Sequence, residues 1–144
     1  MVDKTDSSAE QQTLTLQQTL DLAVQHHSAG DLSKAESMYQ QILKSDPNQP
    51  AALHLLGVIA HQGGDNEKAV DLITKAINLK PDYADAYNNL GIALKVLNQF
   101  EEAVTSYRKA IDLKPDYAEA HNNLGVTLKE LGQFDDAIAC YENA

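Results

Sequence analysis

A 34-residue repeat constrains this chain more than any other feature. Residues 84–117 recur one period later at 118–144, with 14 of 27 aligned residues identical, and one period earlier at 50–83. A looser copy occupies 16–49. A fixed period of this length excludes an ordinary single-core domain. Each unit is one supersecondary element that cannot bury its apolar face alone, so neighbours must stack into a solenoid.

Each unit reads as helix A, tight turn, helix B, short loop. In the third unit Asp82 is placed as N-cap, with Asp85 in the first turn to favour the helix N-terminus. Ala86, Leu90, Leu94 and Leu97 form the apolar stripe of helix A. Asn98 follows, where the other units carry Gly30, Gly64 and Gly132. Gly and then Asn are the residues that tolerate a left-handed helix end, so this position predicts a C-terminal cap. Helix B carries Ala103, Val104, Tyr107, Ala110 and Ile111 and ends before Pro115, whose counterparts are Pro47 and Pro81. Pro50 opens the second unit, where a first-turn proline is tolerated. Thr15 and Gln18 form a capping box for the first helix. Gly57, Gly91 and Gly125 share one register of helix A, opposite Ala35, Ala69, Ala103 and Ala137 of helix B. Glycine inside a helix costs about 1 kcal/mol against alanine, so this row predicts close helix contact. Ile42 departs from the alanine of the other units and predicts a looser contact in the first.

The pattern Tyr87, Leu90, Gly91, Leu94, Phe100, Ala103, Tyr107, Ala110, Pro115 resembles the tetratricopeptide repeat, over residues 16–144. The resemblance implies an all-α, right-handed superhelical solenoid of about eight helices in antiparallel pairs, with the A helices lining a concave face. The expected units are 16–49, 50–83, 84–117 and a truncated 118–144 without a capping helix, after a disordered or partly helical lead-in at 1–15. The missing cap leaves two expectations: a fragment of a longer array, or an end that pairs with a second copy.

Composition narrows the partners. Net charge is −10 and no unit is basic, which argues against nucleic acid and against an anionic membrane surface. The most apolar run, 51–60, is too short to span a bilayer, and the N-terminus has no apolar signal core. The single cysteine, Cys140, allows no internal disulfide and fits a cytoplasmic location. Phosphate loops, nucleophile elbows and metal-ligand spacings are all missing from the sequence, so neither an enzyme nor a cofactor is expected.

On the geometry the resemblance implies, candidate groove residues are Asn88, Asn89, Asn122 and Asn123 of the repeated NNLG run, with His54, His61, Lys95 and Lys129. Asparagine amides both donate and accept, so a stacked row holds a peptide backbone without reading its side chains. Asn89 and Asn123 match the asparagine ladder of O-linked N-acetylglucosamine transferases, while Asp21 and Leu55 interrupt it in the first two units. The same run also reads as ordinary helix A sequence. The carboxylate clamp of chaperone-binding repeats is excluded, because Leu20, Val24, Leu55 and Asp85 stand where its cationic and amide residues belong. The expected function is a non-catalytic scaffold that binds a protein or peptide in the groove. Two alternatives stay open: the N-terminal arm of a larger glycosyltransferase or sulfotransferase, and a homo-oligomer formed through the uncapped end.

Overall fold

The computed structural model describes residues 14–144. The expected lead-in falls almost wholly outside the described residues. Eight helices follow in order: α1 Leu16–Ser28, α2 Leu32–Ser45, α3 Pro50–Gln62, α4 Asn66–Leu79, α5 Ala84–Val96, α6 Phe100–Leu113, α7 Ala118–Glu130 and α8 Phe134–Asn143. No strand occurs among the described residues. Odd-numbered helices are the A helices and even-numbered ones the B helices. Each packs on its sequence neighbours, so the pairs stack in series as a solenoid.

Local chemistry sets most helix ends. Thr15 accepts from the Gln18 amide while the Gln18 side chain accepts from the Thr15 amide, completing the capping box. Pro50 occupies the first turn of α3. All four A-to-B turns close alike: Gly30, Gly64, Asn98 and Gly132 have φ between 62° and 87°. The following amide reaches back to His26, Ala60, Leu94 or Leu128 at 2.8–2.9 Å. One expected cap is corrected. Tyr83, not Asp82, is the N-cap of α5, and no side chain caps that end. The same register supplies the N-caps Gln49 and Tyr117 of α3 and α7, so the repeat's geometry sets this end; there the Tyr83 ring stands edge-on to His54 at 4.7 Å and lies under the Lys80 ammonium.

The small residues have the packing role their register predicts. A Cβ on Gly57 would come within 2.6 Å of Ile73, and one on Gly91 within 2.5 Å of the Tyr107 ring. On Gly125 the nearest atom, of Tyr141, is at 3.0 Å. Ala35, Ala69, Ala103 and Ala137 are all buried opposite. Tyr39, Ile73 and Tyr107 fill the same register of successive B helices and are fully buried, whereas Tyr141 stays exposed with Phe134 and Ile138 on α8. Ile42 is buried in the cluster that contains Leu20, Ala52 and Leu56.

Candidate functional site

Successive A helices from α3 onward touch one another (α3 with α5, α5 with α7). The A helices therefore form the inner side of the stack. Positions four, seven and eleven residues after the second residue of an A helix return to one face. On α5 that strip runs Asp85, Asn89, Ile92, Val96, and on α7 it runs Glu119, Asn123, Val126, Glu130. On α3 it runs Ala51, Leu55, Val58, Gln62, and on α1 Gln17, Asp21, Val24, Ser28. The ninth-position row Val24, Val58, Ile92, Val126 is half-buried or exposed, as a groove floor requires.

Hydrogen bonds stitch neighbouring A helices at an offset of 35 residues, one more than the repeat. Asn89 Nδ2 donates to His54 Nε2 at 2.8 Å. His54 Nε2 is then unprotonated, and Nδ1 carries the proton that it donates to the Tyr83 hydroxyl at 2.9 Å. The ring is 3% exposed, and burial lowers its pKa to about 4, opposed by the Asp85 carboxylate and assisted by His27. At the next boundary Asn123 Nδ2 donates to Asn88 Oδ1 at 3.1 Å. Asn88 is 1% exposed, and its Nδ2 has no partner among the described residues. Tyr117 takes the place of Tyr83 beside it, with the Lys114 ammonium over its ring. Burial pushes the Tyr117 hydroxyl above its ordinary range, and the neighbouring Asp85 carboxylate adds to the rise.

A second row of bonds joins the far ends of the A helices. His27 Nε2 meets Gln62 Oε1 at 2.9 Å, and Lys95 Nζ pairs with Glu130 at 3.4 Å. His61 turns instead to Asn66 Oδ1 within its own pair, at 2.6 Å.

The eight candidate side chains therefore divide. His54 and Asn88 lie buried in the boundaries and do not face the groove. His61 and Lys95 are half-buried and engaged. Asn122 and Lys129 are exposed. Asn89 and Asn123 are half-buried on the inner strip. Each uses one amide hydrogen on the preceding helix and keeps its oxygen free of the described residues.

Sequence reasoning missed Tyr83 and Tyr117. The signal lay in covariation inside the chain. Leu20, Gln49 and Leu55 change together to His54, Tyr83 and Asn89, and then to Asn88, Tyr117 and Asn123. Gln49, freed from this role, accepts from the Ala51 amide.

The reactive groups are quiet. The Cys140 thiol is half-buried, and burial raises its pKa, so its thiolate fraction falls. No cluster of three metal-binding side chains occurs among the described residues, and no helix there is long and apolar enough to cross a membrane.

A family model described as a TPR repeat matches residues 59–96 and 93–132, together more than half of the chain. No curated protein sequence matches. Among solved structures, a crystal structure of MamA aligns at TM-score 0.83 and 22% identity, covering 96% of this chain and 81% of that one. A second MamA crystal structure aligns at 0.80 and 24% identity, covering 90% and 70%. MamA from residue 41 to its end, from Desulfovibrio magneticus RS-1, aligns at 0.81 and 22% identity, covering 93% and 76%. At these identities the likeness is one of fold.

Proposed function

Because the chain belongs to the tetratricopeptide repeat family, we propose that it is a non-catalytic interaction scaffold whose inner A-helix strip binds an extended peptide segment of a partner protein. One observation carries the reading. Asn89 and Asn123 sit at one register on neighbouring helices, each with a free amide oxygen beside the apolar floor of Val58, Ile92 and Val126. Such a strip offers main-chain hydrogen bonds together with apolar contact, the combination by which extended peptides gain affinity without strict sequence. The arrangement is that of a short asparagine ladder over the third and fourth pairs. Location in a reducing compartment such as the cytoplasm fits the lone, unreactive Cys140.

The test uses a degenerate pool of nonapeptides built from Ala, Leu, Ser, Gly and Asn, titrated into the isotopically labelled chain and followed by amide NMR shifts. Shifts should concentrate on α3, α5 and α7. Asn89→Ala with Asn123→Ala should weaken binding about thirtyfold, through roughly 1 kcal/mol for each of the two lost hydrogen bonds. Circular dichroism of the double variant checks that the helices persist. Unchanged affinity, or shifts confined to the B helices, overturns the reading.

A further inference from the structure

The inner strip is not electrically uniform. Its charged side chains toward the helix starts are Asp85 and Glu119, in the first turns, and Asp21, one turn further in, all exposed and none in an ion pair among the described residues. Gln17 donates to Asp21 at 2.9 Å, and the Tyr117 hydroxyl stands beside Asp85, which keeps its charge without a cation among the described residues, as does Glu119. Basic groups do not balance them. Lys95 is held by Glu130. His27 and His61 are bonded to Gln62 and Asn66, and His54 is buried and neutral. Lys129 is exposed but lies near the opposite end of its helix, ten residues beyond Glu119.

Register ties the carboxylates to the amides. Asp85 precedes Asn89 by four residues, and Glu119 precedes Asn123 by four. One helical turn puts each acid on the same face as its amide, about 6 Å away. A side chain leaving a backbone gripped at Asn89 or Asn123 toward the helix start therefore reaches the carboxylate one turn away.

The floor beneath them is also incomplete. Asn88 and Asp85 both approach the Tyr117 hydroxyl, yet Asn88 Nδ2 is buried without an acceptor. The corresponding His54 is bonded through both ring nitrogens.

We infer that the bound segment is cationic: it places a lysine or arginine beside Asp85 and Glu119 while its backbone lies along Asn89 and Asn123. The inference rests on the groove reading above and sharpens it to one partner chemistry, a basic extended peptide. An acidic segment would meet two carboxylates that no cation balances and be repelled.

The experiment compares three nonapeptide pools, identical except for a central Lys, Gln or Glu, against the wild-type chain and the Asp85→Asn, Glu119→Gln double variant. The Lys pool should bind the wild type about fivefold more tightly than the Gln pool, the scale expected of exposed ion pairs. The Glu pool should bind weakest. The Lys-to-Gln affinity ratio should shrink in 0.5 M salt and fall to about one in the double variant. Equal Lys and Gln affinities in the wild type overturn the cationic inference and leave the groove reading standing. A Lys preference that survives the double variant overturns the assignment to Asp85 and Glu119. No binding of any pool overturns the groove reading and this inference together.

Discussion

The second–third and third–fourth boundaries are built at the same three registers and differ by one side chain. His54 bridges Tyr83 and Asn89 with both ring nitrogens bonded, while Asn88 stands between Tyr117 and Asn123 with one amide group open. The reach of the side chain explains the contrast. An imidazole carries its two nitrogens on opposite sides of a ring and spans from the tyrosine to the next helix. An amide is shorter: it bonds the next A helix and only approaches the tyrosine without closing a bond. The interiors of the pairs hardly vary, with the same left-handed turn and the same small-residue contact. In this solenoid, individuality is concentrated where one pair meets the next.

The largest consequence of that contrast is a pH dependence at one boundary only. His54 titrates near 4 when folded against about 6.5 when unfolded, so the unfolded chain binds the proton more readily. Its contribution is complete above pH 6.5 and is lost as pH falls toward 4, by about 3 kcal/mol for a shift of this size. His54→Asn makes the second–third boundary resemble the third–fourth. The stability difference between wild type and that variant, from urea unfolding at successive pH values, should narrow by that amount across the window. A difference independent of pH would break the comparison.

Removing the two tyrosine hydroxyls sharpens it further. Tyr83→Phe strands the buried His54 Nδ1–H and should cost about 1–3 kcal/mol at pH 7. Tyr117→Phe removes only the longer approach of its hydroxyl to Asn88 and Asp85 and should cost less, under about 1 kcal/mol. Equal losses in denaturant midpoint would mean that the two boundaries are energetically alike despite their geometry.

The smallest effect tests the sameness of the pair interiors. Asn98 has φ 62° where the other turns use glycine. Asn98→Gly should leave the thermal midpoint nearly unchanged, whereas Asn98→Ala should lower stability by about 1 kcal/mol, the left-handed penalty of an ordinary residue. A large response to glycine would show that this turn differs from its three counterparts.

Much of this architecture was legible before any coordinate. The row Gly57, Gly91, Gly125 announced helices in close contact, and Gly30, Gly64, Asn98 and Gly132 announced the turns, because backbone angles and excluded volume act on single residues at fixed spacing. The candidate site was legible only in part. The NNLG run reads as two equivalent asparagines, yet Asn88 is buried and Asn89 lies on the inner strip. Adjacent residues on a helix point about 100° apart, and which of them meets the neighbouring helix depends on how the pairs are rotated against each other. Asp82 misled for a similar reason: a good capping residue lost the helix end to Tyr83, at the register that also supplies the N-caps Gln49 and Tyr117.

The sequence by itself determined the all-helical repeat, its period, its turns and its acidic character, since each follows from local propensity and periodicity. Only the tertiary structure decided the 35-residue offset that joins one pair to the next. That offset buries His54 and Asn88, ties Lys95 to Glu130 and leaves Asn89 and Asn123 half free. It arises from the packing angle between neighbouring pairs, a property of two surfaces in contact that no single unit of the repeat contains.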